Sequence, residues 1–183
     1  MSRPEHFIVF DLEATCWEGK PQEMVSEIIE IGAVKLDASG REVDEFQAFV
    51  KPVIHPTLSA FCTQLTTIEQ AQVDQAEEFP AVCARFQAWI GASYWLCSWG
   101  FYDRKQLKQD CTHHQLDIGW LKPHISVKHQ YADLHQLRRP FGLGGALKNE
   151  QLSFEGTPHR GIDDARNIAR IFARYLDGWK PPK

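Results

Sequence analysis

Two carboxylates close an apolar segment near the start of the chain. In HFIVFDLEA, residues 6–14, Asp11 and Glu13 are two positions apart, and on a β-strand this spacing places both side chains on the same face. Like charges at the end of a buried strand raise each other's pKa unless a cation neutralises them. Carboxylate oxygens of this kind suit Mg²⁺ or Mn²⁺. From this motif alone, a metal site and a pair of hydrated acids at a strand end are equally good interpretations.

A third carboxylate follows a second apolar segment. Asp103 comes shortly after YWLCSW, residues 94–99, and the carboxyl ends of neighbouring parallel strands are where α/β sheets place their sites. If this strand lies parallel to the first, Asp103 arrives beside Asp11 and Glu13. Taken alone, Asp103 is better explained as an acid in the first turn of a helix, where the helix dipole favours it.

A histidine precedes two adjacent aspartates in HRGIDDARN, residues 159–167. The unperturbed pKa of histidine is about 6.5, so His159 could accept a proton near neutral pH. We expect Asp164 to face the other acids and Asp163 to lie in solvent at the helix N-terminus, where a carboxylate is mildly stabilising. Helical steps of four, seven and eleven residues from Asp164 reach an apolar stripe, formed by Ile168, Ile171 and Tyr175. The same steps from Asp163 reach a polar face, formed by Asn167, Arg170 and Arg174.

The elements that would position these residues predict an α/β fold. HFIVFDLEA is apolar on both faces, as expected of a central strand covered on both sides. Two segments rich in β-formers follow, separated by the turn ASGRE. Helices are predicted within 59–91, from about 101, over 142–149 and over 163–179, whereas 111–142 shows no clear period. This order predicts one domain over 1–183, with a mixed sheet flanked by helices.

Composition narrows the class of protein. The chain has 183 residues, 43% of them hydrophobic, which is enough for a sizeable core, and a net charge of −4. This charge disfavours a general basic surface for gripping long nucleic acid, but it does not disfavour an enzyme that handles one end of a strand. The five cysteines form no CxxC pair, and neither a signal peptide nor a membrane span is evident. We expect a cytoplasmic protein with reduced thiols.

Four motifs carry a resemblance to a known family. FDLEATCW, FCTQLTTI, WGFYD and FEGTPHRGIDDARNIA resemble, in order and approximate spacing, the motifs of the DEDDh 3′→5′ exonucleases, which have the ribonuclease H-like fold. The chain is most similar to the histone-mRNA 3′-exonuclease and enhanced-RNAi branch and to KapD-like bacterial proteins. The resemblance covers about residues 7–176, between short polar tails. It implies a nuclease domain without the accessory nucleic-acid-binding domain that some relatives carry.

The resemblance also implies roles for particular residues. The metal ligands would be Asp11, Glu13, Asp103 and Asp164, holding two Mg²⁺ or Mn²⁺ ions, with His159 as general base and Glu13 counted with it among the catalytic residues. Two such ions can neutralise a phosphate and lower the pKa of an attacking water. The three separated acidic motifs are therefore better explained together, as one site, than each on its own.

The substrate pocket is also implied by the resemblance. The backbone at Ala14 and Thr15 would wall a pocket for the terminal nucleotide, together with two apolar side chains of FCTQLT, Phe61 and Leu65. Two aromatic residues close to the motifs in sequence, Trp17 and Tyr102, could join this pocket, because bases stack on aromatic rings. One departure from the family pattern is Phe101, where relatives often have a small or polar residue.

The predicted function is removal of nucleotides from the 3′ end of single-stranded nucleic acid as 5′-monophosphates. RNA is favoured by the branch that the chain resembles, although the catalytic residues would serve either sugar. Two alternatives stay open at this point. One is a phosphatase of the haloacid-dehalogenase type, whose nucleophile motif resembles DLEAT, and the other is a non-catalytic RNA-binding scaffold of the same fold.

Overall fold

A five-stranded mixed sheet forms the centre of the molecule. The computed structural model describes residues 3–19, 21 and 23–181. The strands are β1 (His6–Ala14), β2 (Ile28–Asp37), β3 (Glu42–Phe49), β4 (Tyr94–Ser98) and β5 (His124–Ser126), in the spatial order β3-β2-β1-β4-β5. Neighbours β1–β2 and β2–β3 are antiparallel, whereas β4 lies parallel to β1 and to β5. The predicted α/β fold with a mixed sheet is confirmed.

Helices cover both faces of this sheet. They are α1 (Ala60–Thr66), α2 (Gln70–Asp74), α3 (Phe79–Ile90), α4 (Tyr102–His113), α5 (Val127–Leu134), α6 (Leu143–Asn149) and α7 (Gly161–Arg174), with short 3₁₀ turns at Gly119–Leu121 and Leu176–Gly178. Strand β5 and helix α5 fall where the sequence shows no period. With three and eight residues, these two elements are too short to show a hydrophobic period.

No helix of the described residues is long and apolar enough to cross a membrane.

Strand β1 separates two apolar cores by the alternation of its side chains. Phe7 and Val9 pack in a cluster with residues of α7, whereas Ile8, Phe10 and Leu12 pack in a second cluster with residues of α3. Asp11 and Glu13 continue the first of these two faces, as the alternation predicts. The strand therefore delivers both acids to the side of the sheet on which α7 lies.

Helix α7 begins in direct contact with the backbone of the sheet. A Cβ atom added to Gly32 in β2 would lie 2.0 Å from the backbone nitrogen of Ile162 and 2.1 Å from the carbonyl carbon of Gly161. A Cβ on Gly161 would in turn lie 3.1 Å from the carbonyl oxygen of Asp11. The first turn of α7 thus reaches β1 and β2 because neither element has a side chain between the two backbones.

We predict that Gly32→Ala destabilises the protein by more than about 3 kcal/mol, beyond the usual cost of overpacking, because backbone atoms cannot move aside as a rotamer can. Gly144→Ala is the matched control. The added methyl group there meets no atom within 4 Å, and alanine is the better helix former. Urea denaturation of both variants measures the difference. Similar stability of Gly32→Ala and wild type would contradict the close contact.

Candidate active site

Three carboxylates meet where β1 ends and α7 begins. Asp11, Glu13 and Asp164 each offer an oxygen atom such that the three atoms lie within 4.8 Å of one another. Glu13 is buried and the other two are half-buried. Three hard oxygen donors at this spacing fit the preference of Mg²⁺ or Mn²⁺. The structure therefore brings Asp164, and not Asp163, to the acids of β1.

Asp103 approaches the same place from the other side of β1. It lies in the first turn of α4, directly after β4, and is 6% exposed. It stands outside the group of three, but its charge raises the pKa of Asp11 more than any other neighbouring carboxylate does. Ser98 and the backbone of Leu12 lower the pKa of its carboxyl, against the larger opposite effect of burial. The parallel pairing of β4 with β1 thus places Asp103 beside the acids of β1.

A buried histidine lies beside Ser98, at the end of β4. The Ser98 hydroxyl oxygen lies 3.0 Å from Nε2 of His124, and burial, aided by the charge of Arg104, lowers the pKa of His124 to about 4. The ring is therefore neutral at neutral pH. The sequence did not indicate this contact with Ser98, because His124 lies in β5, inside the segment that shows no clear hydrophobic period.

The raised pKa values of the four acids favour the binding of a cation. Burial is the largest cause in each case, and it raises the pKa of Asp103 and of Asp164 to about 6 and that of Glu13 to about 8. Burial also holds the pKa of Asp11 well above its usual range, and the other three carboxylates add to the effect. Among the described groups, Arg160 provides a lowering charge on Glu13. Divalent ions would remove the repulsion that the remaining acids exert on one another.

A fifth acid fixes the helix and is no candidate ligand. Glu30 in β2 is fully buried and accepts hydrogen bonds from Nε and Nη2 of Arg160, at 3.1 and 3.3 Å, and from the backbone nitrogen of Gly161 at 3.0 Å. Gln47 also donates to it, at 2.7 Å. Glu30 thereby satisfies a free amide at the start of α7. The sequence offered one signal for it, an acid inside the apolar segment EIIEIG.

His159 lies at the rim of the cluster. Its side chain is exposed, its backbone is left-handed with φ 63°, and its backbone nitrogen donates to Oδ2 of Asp164 at 2.8 Å. This bond links the position of the histidine to that of the acid five residues later. An exposed imidazole beside a carboxylate cluster can exchange protons with solvent and with a bound water.

Asp163 supports the loop that carries His159. Its Oδ2 accepts a bond from the backbone nitrogen of Thr157 at 2.9 Å, and its Oδ1 accepts one from Arg166 at 2.9 Å. The predicted solvated face of α7 was wrong at Asp163, whose side chain is 17% exposed. It was also wrong at Asn167, which is 0% exposed and bonds the backbone of Glu155 at both its amide atoms. The segment before α7 folds back over this face, a tertiary contact that helical periodicity does not show.

A family model agrees with this geometry. The model described as Exonuclease (RNase_T) matches residues 8–172, nearly the whole chain. The chain belongs to the exonuclease family. A haloacid-dehalogenase-type phosphatase is thereby excluded, since the match spans the motifs in which DLEAT stands.

Relatives of this exonuclease chain are named as exoribonucleases. It is 36% identical over 183 residues to the 3′-5′ exoribonuclease 1 of Homo sapiens, covering 94% of this chain and 52% of that protein. It is 35% identical over 185 residues to that of Rattus norvegicus, with 94% and 53% covered. The chain thus spans about half the length of the curated relatives it matches.

Solved structures show the same fold. The nuclease domain of 3′hExo, a DEDDh family member bound to rAMP, superposes with a TM-score of 0.92 at 33% identity, over 100% of this chain and 98% of that one. A structure on 3′-end-specific recognition of a histone mRNA stem-loop by 3′-exonuclease gives 0.88 at 33% identity, over 100% and 86%. These neighbours place the exonuclease chain in the histone-mRNA 3′-exonuclease branch.

The residues predicted to wall a nucleotide pocket lie around the end of β1. Ala14 and Thr15 are buried, and α1 is fastened over them. Ser59 donates to the carbonyl oxygen of Cys16 at 2.6 Å, and the Cys62 thiol donates to that of Ala14 at 3.7 Å. Helix α1 therefore packs against the segment that leaves the acids.

Exposed side chains surround this segment. Phe61 and Leu65, one turn apart on α1, are 39% and 37% exposed. Tyr102 is 58% exposed, and desolvation, followed by the charges of Asp103 and Glu13, raises the pKa of its hydroxyl to about 12. Its ring therefore lies near the acids of the exonuclease site. These three side chains are available to a ligand.

Two further aromatic residues have partners within the protein. The half-buried ring of Trp17 meets His55 edge-on, with centroids 5.0 Å apart, so its place in the pocket stays a prediction. Phe101, the departure from the family pattern, is 46% exposed and stacks on His129 with centroids 4.9 Å apart.

We predict that Mg²⁺ stabilises the protein more at pH 8 than at pH 5. The four acids have pKa values raised above those of unfolded carboxyls, so without metal their contribution to stability is present below about pH 4. It is lost as the pH rises through about 6 and 8, the pKa values of Asp164 and Glu13. Bound metal removes this loss, and at 100 times its dissociation constant it adds about 2.7 kcal/mol.

Melting temperatures with and without Mg²⁺, taken across this pH range, check the prediction. Asp11→Asn is the control, because it relieves the repulsion and should weaken the metal effect at every pH. A wild-type increment that is the same at pH 5 and pH 8 would contradict the raised pKa values.

We predict that the two neighbouring aspartates differ in effect. Asp164→Asn should nearly abolish nuclease activity, because the carboxylate that meets Asp11 and Glu13 loses its charge. Asp163→Asn should cost about 1 kcal/mol of stability and little turnover, because an amide oxygen can still accept from Thr157 while the ion pair with Arg166 is lost. Turnover and urea stability measured on both variants decide this. The reverse pattern would place the site at Asp163.

Proposed function

We propose that this chain is a metal-dependent 3′→5′ exonuclease that removes nucleotides from the 3′ end of single-stranded RNA. The observation that carries the proposal is the cluster of Asp11, Glu13 and Asp164, with Asp103 beside it, whose burial and mutual repulsion favour the binding of divalent cations. The relatives named as exoribonucleases and the neighbour bound to rAMP support RNA as the substrate.

The four acids would hold two Mg²⁺ or Mn²⁺ ions. Asp11 has ligand oxygens of Glu13 and Asp164 within 4.8 Å, and the charge of Asp103 acts on it more strongly than that of any other acid, so Asp11 would be the acid best placed to serve both ions. When bound, such ions neutralise charge on the phosphate and lower the pKa of a water. Ser98 and the backbone of Leu12 favour the ionised form of Asp103, which is the form that binds a metal ion.

His159 acts as the general base. An imidazole nitrogen of its exposed ring accepts a proton from the attacking water as the water oxygen forms a bond to phosphorus. The bond from phosphorus to the 3′-oxygen breaks, and that oxygen takes up a proton to become the new 3′-hydroxyl end. The products are a nucleoside 5′-monophosphate and a strand one nucleotide shorter. The backbone bond from His159 to Asp164 holds the base beside the acids during this step.

The terminal nucleotide lies between α1 and α4. Phe61 and Leu65 offer exposed apolar surface for a base. Tyr102 offers an exposed ring near Asp103 and Glu13, whose charges help to raise the pKa of its hydroxyl, so the hydroxyl is protonated at neutral pH. The start of α1 bonds the carbonyl oxygens of Cys16 and Ala14 at the end of β1, so a free 3′ end that enters between α1 and α4 would reach the acids. We place this activity in the cytoplasm, where the five free thiols stay reduced.

We predict that the wild-type protein shortens 5′-labelled single-stranded RNA from its 3′ end in Mg²⁺ or Mn²⁺ and releases 5′-monophosphates. Matched RNA, DNA, stem-loop and closed circular substrates are compared, with excess EDTA as control. Activity that persists in EDTA, or equal cleavage of the circular strand, would contradict the proposal. Faster digestion of DNA than of RNA would reassign the substrate. Loss of all activity in intact wild type would favour a non-catalytic scaffold.

His159→Ala tests the assignment of the base in the same assay. Turnover should fall by roughly 10²–10⁴, the usual contribution of a general base, while Mn²⁺ binding is kept. Added imidazole should restore part of the lost rate. His113→Ala, at an exposed position on α4, is the control and should keep full activity. Near-normal turnover of His159→Ala at neutral pH would show that another group takes the proton.

A further inference from the structure

A basic and aromatic segment lies outside the site described so far. Between α5 and α6, Leu137, Arg138, Arg139 and Phe141 line an open groove of about 520 Å³. Both arginines are exposed, and within residues 3–19, 21 and 23–181 the salt bridges leave both without a carboxylate partner. The ring of Phe141 is 36% exposed. We call these residues the 137–141 groove.

The 137–141 groove borders the end of the sheet that carries the acids. Trp99 directly follows β4, and its indole nitrogen donates to the carbonyl oxygen of Phe141 at 3.3 Å. Because β4 is parallel to β1, this end of β4 lies beside the end of β1 that bears Asp11 and Glu13. Asp103 stands four residues after Trp99. The groove and the acids therefore share one edge of the molecule.

The charge of the molecule indicates what kind of ligand the 137–141 groove would bind. The chain has a net charge of −4, and ions held by the four acids would offset charge only at the strand end, so cations outside the site favour binding of the rest of a polyanionic strand. An arginine guanidinium presents paired donors that fit a phosphate, and aromatic rings stack on any base. Two unpaired arginines beside an exposed ring thus match a single nucleic-acid strand better than an apolar peptide.

We propose that the 137–141 groove binds the substrate strand upstream of its 3′ end. Arg138 and Arg139 bind successive phosphates, and Phe141 stacks on a base. The surface rests on the proposed function, because it extends the substrate site of a 3′ exonuclease. It makes affinity depend on strand length and on salt, whereas the acids and the terminal pocket serve a strand of any length.

The experiment compares a dinucleotide with a single-stranded RNA of about twelve nucleotides, which exceeds the span of the terminal pocket. Arg138→Gln/Arg139→Gln should raise KM for the long strand roughly five- to tenfold at about 50 mM salt and leave its kcat unchanged. The KM and kcat for the dinucleotide should both stay at their wild-type values. Each phosphate contact of a single strand contributes about 0.7 to the slope of log affinity against log salt, so the double variant should lower that slope by about 1.4.

Matched variants separate binding from folding. Lys51→Gln/Lys108→Gln removes the same charge from two other exposed positions and should leave the preference for the long strand unchanged. Arg138→Lys/Arg139→Lys keeps both charges and should keep the salt slope. Phe141→Ala should weaken binding of the long strand alone, since the contact with Trp99 uses the carbonyl oxygen, and Phe141→Tyr should restore it.

The outcomes distinguish this surface from the nuclease activity itself. An equal loss on both substrates, or an unchanged salt slope in Arg138→Gln/Arg139→Gln, would overturn the groove as a strand-binding surface and leave the nuclease standing. A wild type that degrades neither substrate would overturn the proposed function and the groove with it.

Discussion

The candidate site depends on how closely helix α7 approaches the sheet. Gly32 and Gly161 leave no side chain between the two backbones, and Glu30 holds the first amide of the helix from inside the sheet. Without this contact Asp164 could not bring its oxygen within 4.8 Å of the acids on β1. Bringing like charges together is unfavourable, so the structure needs rigid backbone contacts to keep them there.

That rigidity has an electrostatic consequence. The folded protein raises the pKa of all four acids, and burial is the largest cause. A site of this kind stores unfavourable energy when empty and releases it when divalent cations bind. Bound divalent ions act at the strand end alone, which is why cations outside the site, such as Arg138 and Arg139, matter to the proposed function.

Much of this arrangement could be predicted from the sequence, because it follows from local periods. The alternation along β1 places Asp11 and Glu13 on the side of α7, and the apolar stripe of α7 selects Asp164 over Asp163. The parallel pairing of β4 with β1 then brings Asp103 to the same edge. Each of these inferences needs only the geometry of one element or of one pair of strands.

The remainder depends on contacts between distant segments, which no local pattern encodes. Asn167 is buried by the segment that folds back before α7, and the contact of Ser98 with His124 crosses from β4 to β5. Gly32 and Glu30 look like ordinary strand residues until α7 is placed on them. The short β5 and α5 escaped prediction because elements of three and eight residues show no full period.

Proton release on metal binding tests most directly whether the buried acids form a metal site. Calorimetric titration of the wild-type protein with Mn²⁺ at pH 7, in buffers of different ionisation enthalpy, counts the protons that leave the acids. Since Glu13 has a pKa of about 8 and that of Asp11 is also raised, we expect net proton release at pH 7 that declines toward pH 9. Metal binding without proton release at pH 7, or no binding at all, would contradict it.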